Sequence, residues 1–329
     1  MKKVFFTLLV IAALSSCSQE EVVDTVAKTP ISFGNVFVEK STQSRAGEEN
    51  TQKPTDHTYG AGGDLTQFQV YGRVEGNIDK ADIYTGNKVT GEIGGEWICE
   101  GSTQYWIPGA TFHFTAWAGV EESDIDGPMS VTYNVENQND LLFATYNRTL
   151  NGQSTDYDKV DFIFDHVLTK VQFTFVNNYA ANSNVALTVK NIQITNAITA
   201  ATYSNGTNKP YEGKMSWTNH DKTPAIISFG ETGSIQPGGN SGYCGNIGLL
   251  IPYTYSSEEK LNVSFDVYYN GKGISKNTNV EIDLKEGNSY NFTAELDAKS
   301  VQGVMPITFN ITRNNSWENA DGFPKDTNL

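Results

Sequence analysis

From Leu261 to Tyr269 the chain reads Leu-Asn-Val-Ser-Phe-Asp-Val-Tyr-Tyr, with Leu261, Val263, Phe265, Val267 and Tyr269 set against Asn262, Ser264 and Asp266. Side chains alternate across an extended strand, so this period of two sends one face into a core and the other into solvent. Asn270-Gly271 follows at once, a pair suited to the positive φ values of a tight hairpin turn. The same period recurs in Phe112, Phe114, Ala116 and Ala118 opposite Thr111, His113, Thr115 and Trp117, with the turn signal Pro108-Gly109 before it. Ile307, Phe309 and Ile311 repeat it near the end of the chain. Short alternating segments separated by turn residues, with no crossover helices between them, predict an all-β fold built from antiparallel sandwiches.

At 329 residues there is chain enough for two such units, each with its own core. The aromatic content, 17 Phe, 16 Tyr and 5 Trp, together with 30 Gly, suits pleated surfaces joined by tight turns. The polar run Asp156-Tyr157-Asp158 is the natural boundary, giving an N-terminal sandwich over 46–158 and a C-terminal one over 159–329. A net charge of −15 repels phosphate backbones and anionic headgroups, which argues against nucleic acid and against adsorption to a membrane by charge.

The first residues direct export. Met1-Lys2-Lys3 supplies the positive start and Val4 to Leu14 the apolar stretch, too short to span a bilayer. Leu14-Ser15-Ser16-Cys17 resembles the lipobox of bacterial lipoproteins, in which the chain is cut between Ser16 and Cys17 and the cysteine is acylated. Residues 1–16 are then a signal peptide, and several acyl chains on Cys17 hold the protein to a membrane. Ser18-Gln19-Glu20-Glu21 resembles the acidic tract that carries Bacteroidetes lipoproteins to the outer face of the outer membrane. Cys99 and Cys244 are too few for a disulfide framework and read as free thiols.

Signals for chemistry are absent. His57, His113, His166 and His220 are scattered, without the spacing of a metal site. Ser241 among glycines lacks the frame of a hydrolase elbow. Asp124-Ile125-Asp126-Gly127 is a fragment of a calcium loop without its later ligands and reads as a solvated loop. The chain is therefore expected to be non-enzymatic and to need no cofactor or metal.

A set of motifs in order along the chain resembles the fimbrillin family of Bacteroidetes pilins. They are Cys17 in its lipobox, Ile31-Ser32-Phe33, Ser44-Arg45-Ala46, Tyr105-Trp106-Ile107-Pro108-Gly109, Asp140-Leu141-Leu142-Phe143-Ala144, Phe164 to Val171, and Leu249-Leu250-Ile251-Pro252. The resemblance implies two transthyretin-like sandwiches and a structural or adhesive subunit of surface fimbriae, lipid-anchored at the outer membrane. Its partners would be other fimbrial subunits and receptors on host or bacterial surfaces. It also implies that a first strand within 17–45, with Ile31, Phe33, Phe37 and Val38 as its apolar residues, is removed by cleavage between Arg45 and Ala46. A strand from another subunit would then fill the vacancy, the candidate donor here being Ile307, Phe309 and Ile311, which equally suits this chain's own last strand. The alternative is a monomeric surface glycan-binding lipoprotein, with exposed Tyr and Trp stacking on sugars.

Overall fold

The computed structural model describes residues 28–39, 58–59, 63–76, 80–92, 95–151, 157–207, 209–242, 244, 246–315 and 317. Among them the regular secondary structure is almost wholly strand. In order the strands are β1 (Phe33–Glu39), β2 (Thr58–Tyr59), β3 (Gly63–Asp64), β4 (Gln67–Glu75), β5 (Ala81–Thr90), β6 (Ile98–Cys99) and β7 (Thr111–Ala118). Next come β8 (Ile125–Gly127), β9 (Ser130–Asn134), β10 (Leu142–Thr149), β11 (Val160–His166), β12 (Thr169–Asn177), β13 (Thr188–Ser204) and β14 (Ser216–Gly230). The last are β15 (Gly248–Leu250), β16 (Thr254–Tyr255), β17 (Leu261–Tyr269), β18 (Lys272–Val280), β19 (Ile282–Asp283), β20 (Ser289–Leu296) and, after the helical turn α1 (Ala298–Val301), β21 (Phe309–Asn314).

The N-terminal strands form one seven-stranded sheet in the order β1-β11-β10-β7-β4-β5-β6. Its apolar side chains converge on a single core: Phe68 and Val70 from β4, Phe112 and Phe114 from β7, and Phe162 and Phe164 from β11 are all fully buried there. A sheet that points one face of every strand into one core must curl. Its two ends meet, because Phe33 of β1 bridges Trp97, which immediately precedes β6.

The C-terminal half is two sheets packed face to face, β15-β12-β20-β21 against β18-β17-β13-β9-β8. β17 and β9 lie end to end along one edge of β13, and β14 takes its other edge. The strand with the clearest alternation, β17, buries Leu261, Val263, Phe265 and Val267, and its hairpin to β18 turns at Asn270 (φ 47°) and Gly271 (φ 76°). The sheets are antiparallel except at two pairings, β1 with β11 and β12 with β20. Both join segments far apart in the chain, and a parallel pair needs such a long connection.

The boundary at 158/159 does not follow the sheets. β11, which that division gives to the C-terminal unit, pairs with β1 and β10 in the N-terminal sheet, whereas β8 and β9 join the C-terminal sheet through β13. The run from Val160 to Val176 looks like one block because both of its strands alternate, yet it breaks at Val167-Leu168, where the chain crosses between sheets. Alternation reveals a strand but not its partner.

The two halves also share apolar surface. Trp117 of β7 and Phe143 of β10 turn away from their own sheet's core and pack at 4.3 Å against each other within the C-terminal cluster, beside Tyr203 of β13. The Trp117 indole N–H donates to the Gly127 carbonyl at 3.2 Å. The aromatic stretch from Tyr105 to Ala118 is thus core on both faces at its C-terminal end, while His113 is half-buried and bonded to Asn147 at 2.7 Å.

Candidate assembly site at the seam strand

β1 closes the seam of the curled sheet. On one side it runs parallel to β11, from Phe33 opposite Val160 to Glu39 opposite Asp165. On the other, Pro30 bridges Tyr105 and Phe33 bridges Trp97. The Ile31 N–H donates to the Gln104 carbonyl at 2.8 Å, and the Trp106 N–H donates to the Thr29 carbonyl at 3.0 Å. The segment is held by backbone hydrogen bonds along both edges. The Trp106 ring backs the receiving wall, packed on Phe112 at 4.8 Å with the Arg148 guanidinium 5.5 Å from its centroid.

Four apolar side chains of this segment are buried: Ile31, Phe33, Val36 and Val38. Phe33 lies among Phe68, Tyr84 and Phe162 at centroid distances of 6.1, 5.8 and 6.0 Å. The expected set contained Phe37 in place of Val36. Phe37 is only half-buried, because a bulge between Phe33 and Val36 puts one extra residue on β1 and reverses which parity faces inward. Gly34 makes the bulge possible: a Cβ there would lie 2.2 Å from Asp161 Oδ1, the oxygen that accepts the Asn35 N–H at 2.8 Å.

The candidate donor residues lie in the chain's own C-terminal sheet. β21 pairs antiparallel with β20, Phe309 opposite Ala294 and Ile311 opposite Phe292. Phe309 packs among Phe173, Phe175, Phe265 and Phe292 at 5.5 to 6.2 Å, and the carbonyl of buried Ile307 accepts from Thr278 Oγ1 at 2.8 Å. The expected removable strand and the candidate donor therefore belong to different sheets. Ser16 and Cys17, expected for signal cleavage and lipidation, and Arg45-Ala46, the expected maturation cut, lie outside the described residues.

Neither internal thiol is poised to react. Cys99 and Cys244 are both free, and burial pushes them up to about 11 and about 12, so they stay protonated near neutral pH. Tyr105, Trp106 and Trp97 as the receiving side of the seam were not legible as such in the sequence. The signal that could have found them is the motif Tyr105 to Gly109, whose place in the order of motifs says nothing of the strand it holds.

Comparison with known proteins bears on this arrangement. No curated protein matches the chain. A solved cell-adhesion candidate from Bacteroides uniformis superposes with a TM-score of 0.52 at 18% identity, covering 89% of this chain and 99% of its own. A second such candidate, from Parabacteroides distasonis, gives 0.52 at 10% identity over 89% of this chain and 98% of its own. A fimbrial protein from Bacteroides vulgatus gives 0.50 at 12% identity over 88% and 99%. At these identities the likeness is one of fold. The profile of the fimbrillin-like family matches residues 55–313, well over half the sequence. With two strand-rich halves in the arrangement of those solved folds and a family match running through both, the chain belongs to the fimbrillin-like family.

Proposed function

We propose that this protein is a structural and adhesive subunit of surface fimbriae, exported as a lipoprotein through Cys17, held at the outer membrane and assembled by strand exchange after cleavage between Arg45 and Ala46. The observation that carries the reading is β1 itself: an edge strand buried on both sides of a seam, with Arg45 shortly beyond it in the chain. Its removal would leave an apolar groove flanked by two unpaired backbone edges, a ready template for another extended chain. Family membership supports the fimbrial role, as do the fold relatives described as a fimbrial protein and cell-adhesion candidates. The incoming strand would come from another subunit. To serve in that role, this chain's own Ile307, Phe309 and Ile311 must first leave β20.

Two variants test the reading. Cys17→Ala should lose labelled palmitate and leave the membrane fraction. Arg45→Ala should fold and reach the surface yet form no ladders resistant to mild SDS after treatment with an arginine-specific protease, whereas the parent protein forms them. Ladders from Arg45→Ala equal to the parent's would overturn strand exchange at this site. A parent protein that stays monomeric after the cut would instead favour the glycan-binding alternative.

A further inference from the structure

Beyond the last pairing of β21, Asn314 opposite Ser289, the chain carries Trp317 back into the molecule, where the ring is buried. It stacks on the His166 imidazole with 4.1 Å between centroids and 7° between planes. The Trp317 carbonyl accepts a hydrogen bond from Lys170 Nζ at 2.8 Å, and the same ammonium lies 5.8 Å from the indole centroid. Asp140 Oδ2 lies 2.8 Å from His166 Nδ1, with the two side chains 0% and 3% exposed.

These partners come from three places. Asp140 precedes β10, His166 ends β11 in the N-terminal sheet, and Lys170 lies in β12 of the C-terminal sheet. His166 and Lys170 flank Val167-Leu168, the point where the chain crosses between sheets. Trp317 thus sits across the crossover and touches both sides.

The geometry points to a strap: Trp317, held by His166 and Lys170, ties the end of the chain across the crossover and so retains β21 in its own sheet. The energetics favour that role over incidental packing. Lys170 is 8% exposed, and the Trp317 carbonyl gives its ammonium an acceptor within the fold. The hydrogen bond is charge-assisted and among the stronger kinds. Between Asn314 and Trp317 lie only two polar residues, Asn315 and Ser316, so little chain entropy opposes closing the strap once β21 is paired. β21 needs the help. Among the described residues it pairs with β20 alone, and along it Phe309 and Ile311 are half-buried while Asn310 and Arg313 are exposed.

Resting on the strand-exchange reading above, the inference is that this chain accepts a strand but withholds its own while the strap is docked. Freeing β21 would require Trp317 to leave His166 and Lys170 first. The functional reading leaves a donor available; the strap makes donation conditional.

Amide hydrogen exchange read by mass spectrometry on the intact, uncleaved protein tests this without any filament. In Trp317→Ala, exchange over 309–314 should rise about tenfold while β4, β7 and β17 keep their protection. Lys170→Met keeps the apolar stem and loses the bond to the Trp317 carbonyl, so it should give a smaller rise over the same segment. A labelled peptide of residues 305–315 should exchange into Trp317→Ala and not into the parent. Unchanged protection over 309–314 in both variants, or a global loss in both, would overturn the strap. If β21 loosens as expected but cleaved Trp317→Ala forms no more ladders than the parent, the strap stands and strand donation by this chain falls.

Discussion

At one end of the described chain β1 sits at the edge of a sheet and is buried as deeply as an inner strand; at the other, β21 also sits at an edge and stays half open. The difference lies in the sheets. The N-terminal sheet curls until its last strand meets its first, so β1 has neighbours on both sides, whereas among the described residues the sheet holding β21 stops there. At about 1.5–3 kcal/mol for each fully buried apolar side chain, Ile31, Phe33, Val36 and Val38 contribute several times what the half-buried residues of β21 do. Hydrogen-bond order alone therefore does not say which terminal strand the fold depends on. Curvature does: losing β1 opens a core, and losing β21 uncovers one flank of a core that remains closed elsewhere.

The largest effect that contrast implies is on the chain beginning at Ala46. Without β1 it should expose the core around Phe68 and Phe162, bind a hydrophobic dye and aggregate, and a peptide of residues 28–39 should restore its near-UV circular dichroism. A chain ending at Pro306 should stay soluble and keep the N-terminal signal. Equal behaviour of the two truncations would break the comparison. At the level of single residues, Phe33→Ala should cost about 3–5 kcal/mol in denaturant unfolding and Phe309→Ala roughly half of that. The reverse order would show that β21, not β1, is the better-held strand.

Alternation made most of this fold readable. β17 and β7 were legible because each has one apolar face, and the hairpin at Asn270-Gly271 because its turn demands those residues. The seam was legible only in part. Ile31 and Phe33 follow from a period of two, but the inward turn of Val36 and Val38 does not, since a bulge changes parity without leaving a mark on hydrophobicity. The pairing of β11 with β1 was hidden for a different reason: Val160 to Val176 alternates on both sides of the crossover, and nothing local tells a strand which sheet it will join. The grouping of Asp140, His166, Lys170 and Trp317 is further still from reach. Its members are separated by up to 177 positions and meet only where the chain crosses between two sheets and Trp317 packs against that crossing.

The bulge itself allows a smaller test of how tightly the seam is specified. Gly34→Ala would bring a methyl group 2.2 Å from Asp161 Oδ1 and 2.9 Å from Lys159 Cβ, forcing Asp161 to release the Asn35 N–H. A cost of about 1–3 kcal/mol is expected from such crowding. Asn310→Ala, on an exposed position of β21, should stay within about 0.5 kcal/mol of the parent. If Gly34→Ala is as mild as Asn310→Ala, the seam tolerates register changes, and β1 is held less specifically than its burial implies.

The smallest effect concerns the side of the molecule that holds β21. Glu286 stands just before β20, and its carboxyl is pushed above the usual range, chiefly by burial, with Lys214 and a hydrogen bond from Tyr203 pulling it partly back. In the folded protein the neutral acid is favoured, so ionisation at neutral pH subtracts from stability. That loss is complete above the folded pKa and fades as the pH falls through it toward the value of the unfolded chain. Glu286→Gln keeps an acceptor for the Tyr203 hydroxyl and carries no charge. It should raise the thermal midpoint slightly at neutral pH, and the gap to the parent should close in mildly acidic buffer. Hydrogen exchange should slow over 289–296 and, through pairing with β20, over 309–314, with no change over 33–39. A gain spread equally over β1 and β21 would mean that the two edges are coupled through the junction and that their independence, the premise of the comparison, is wrong.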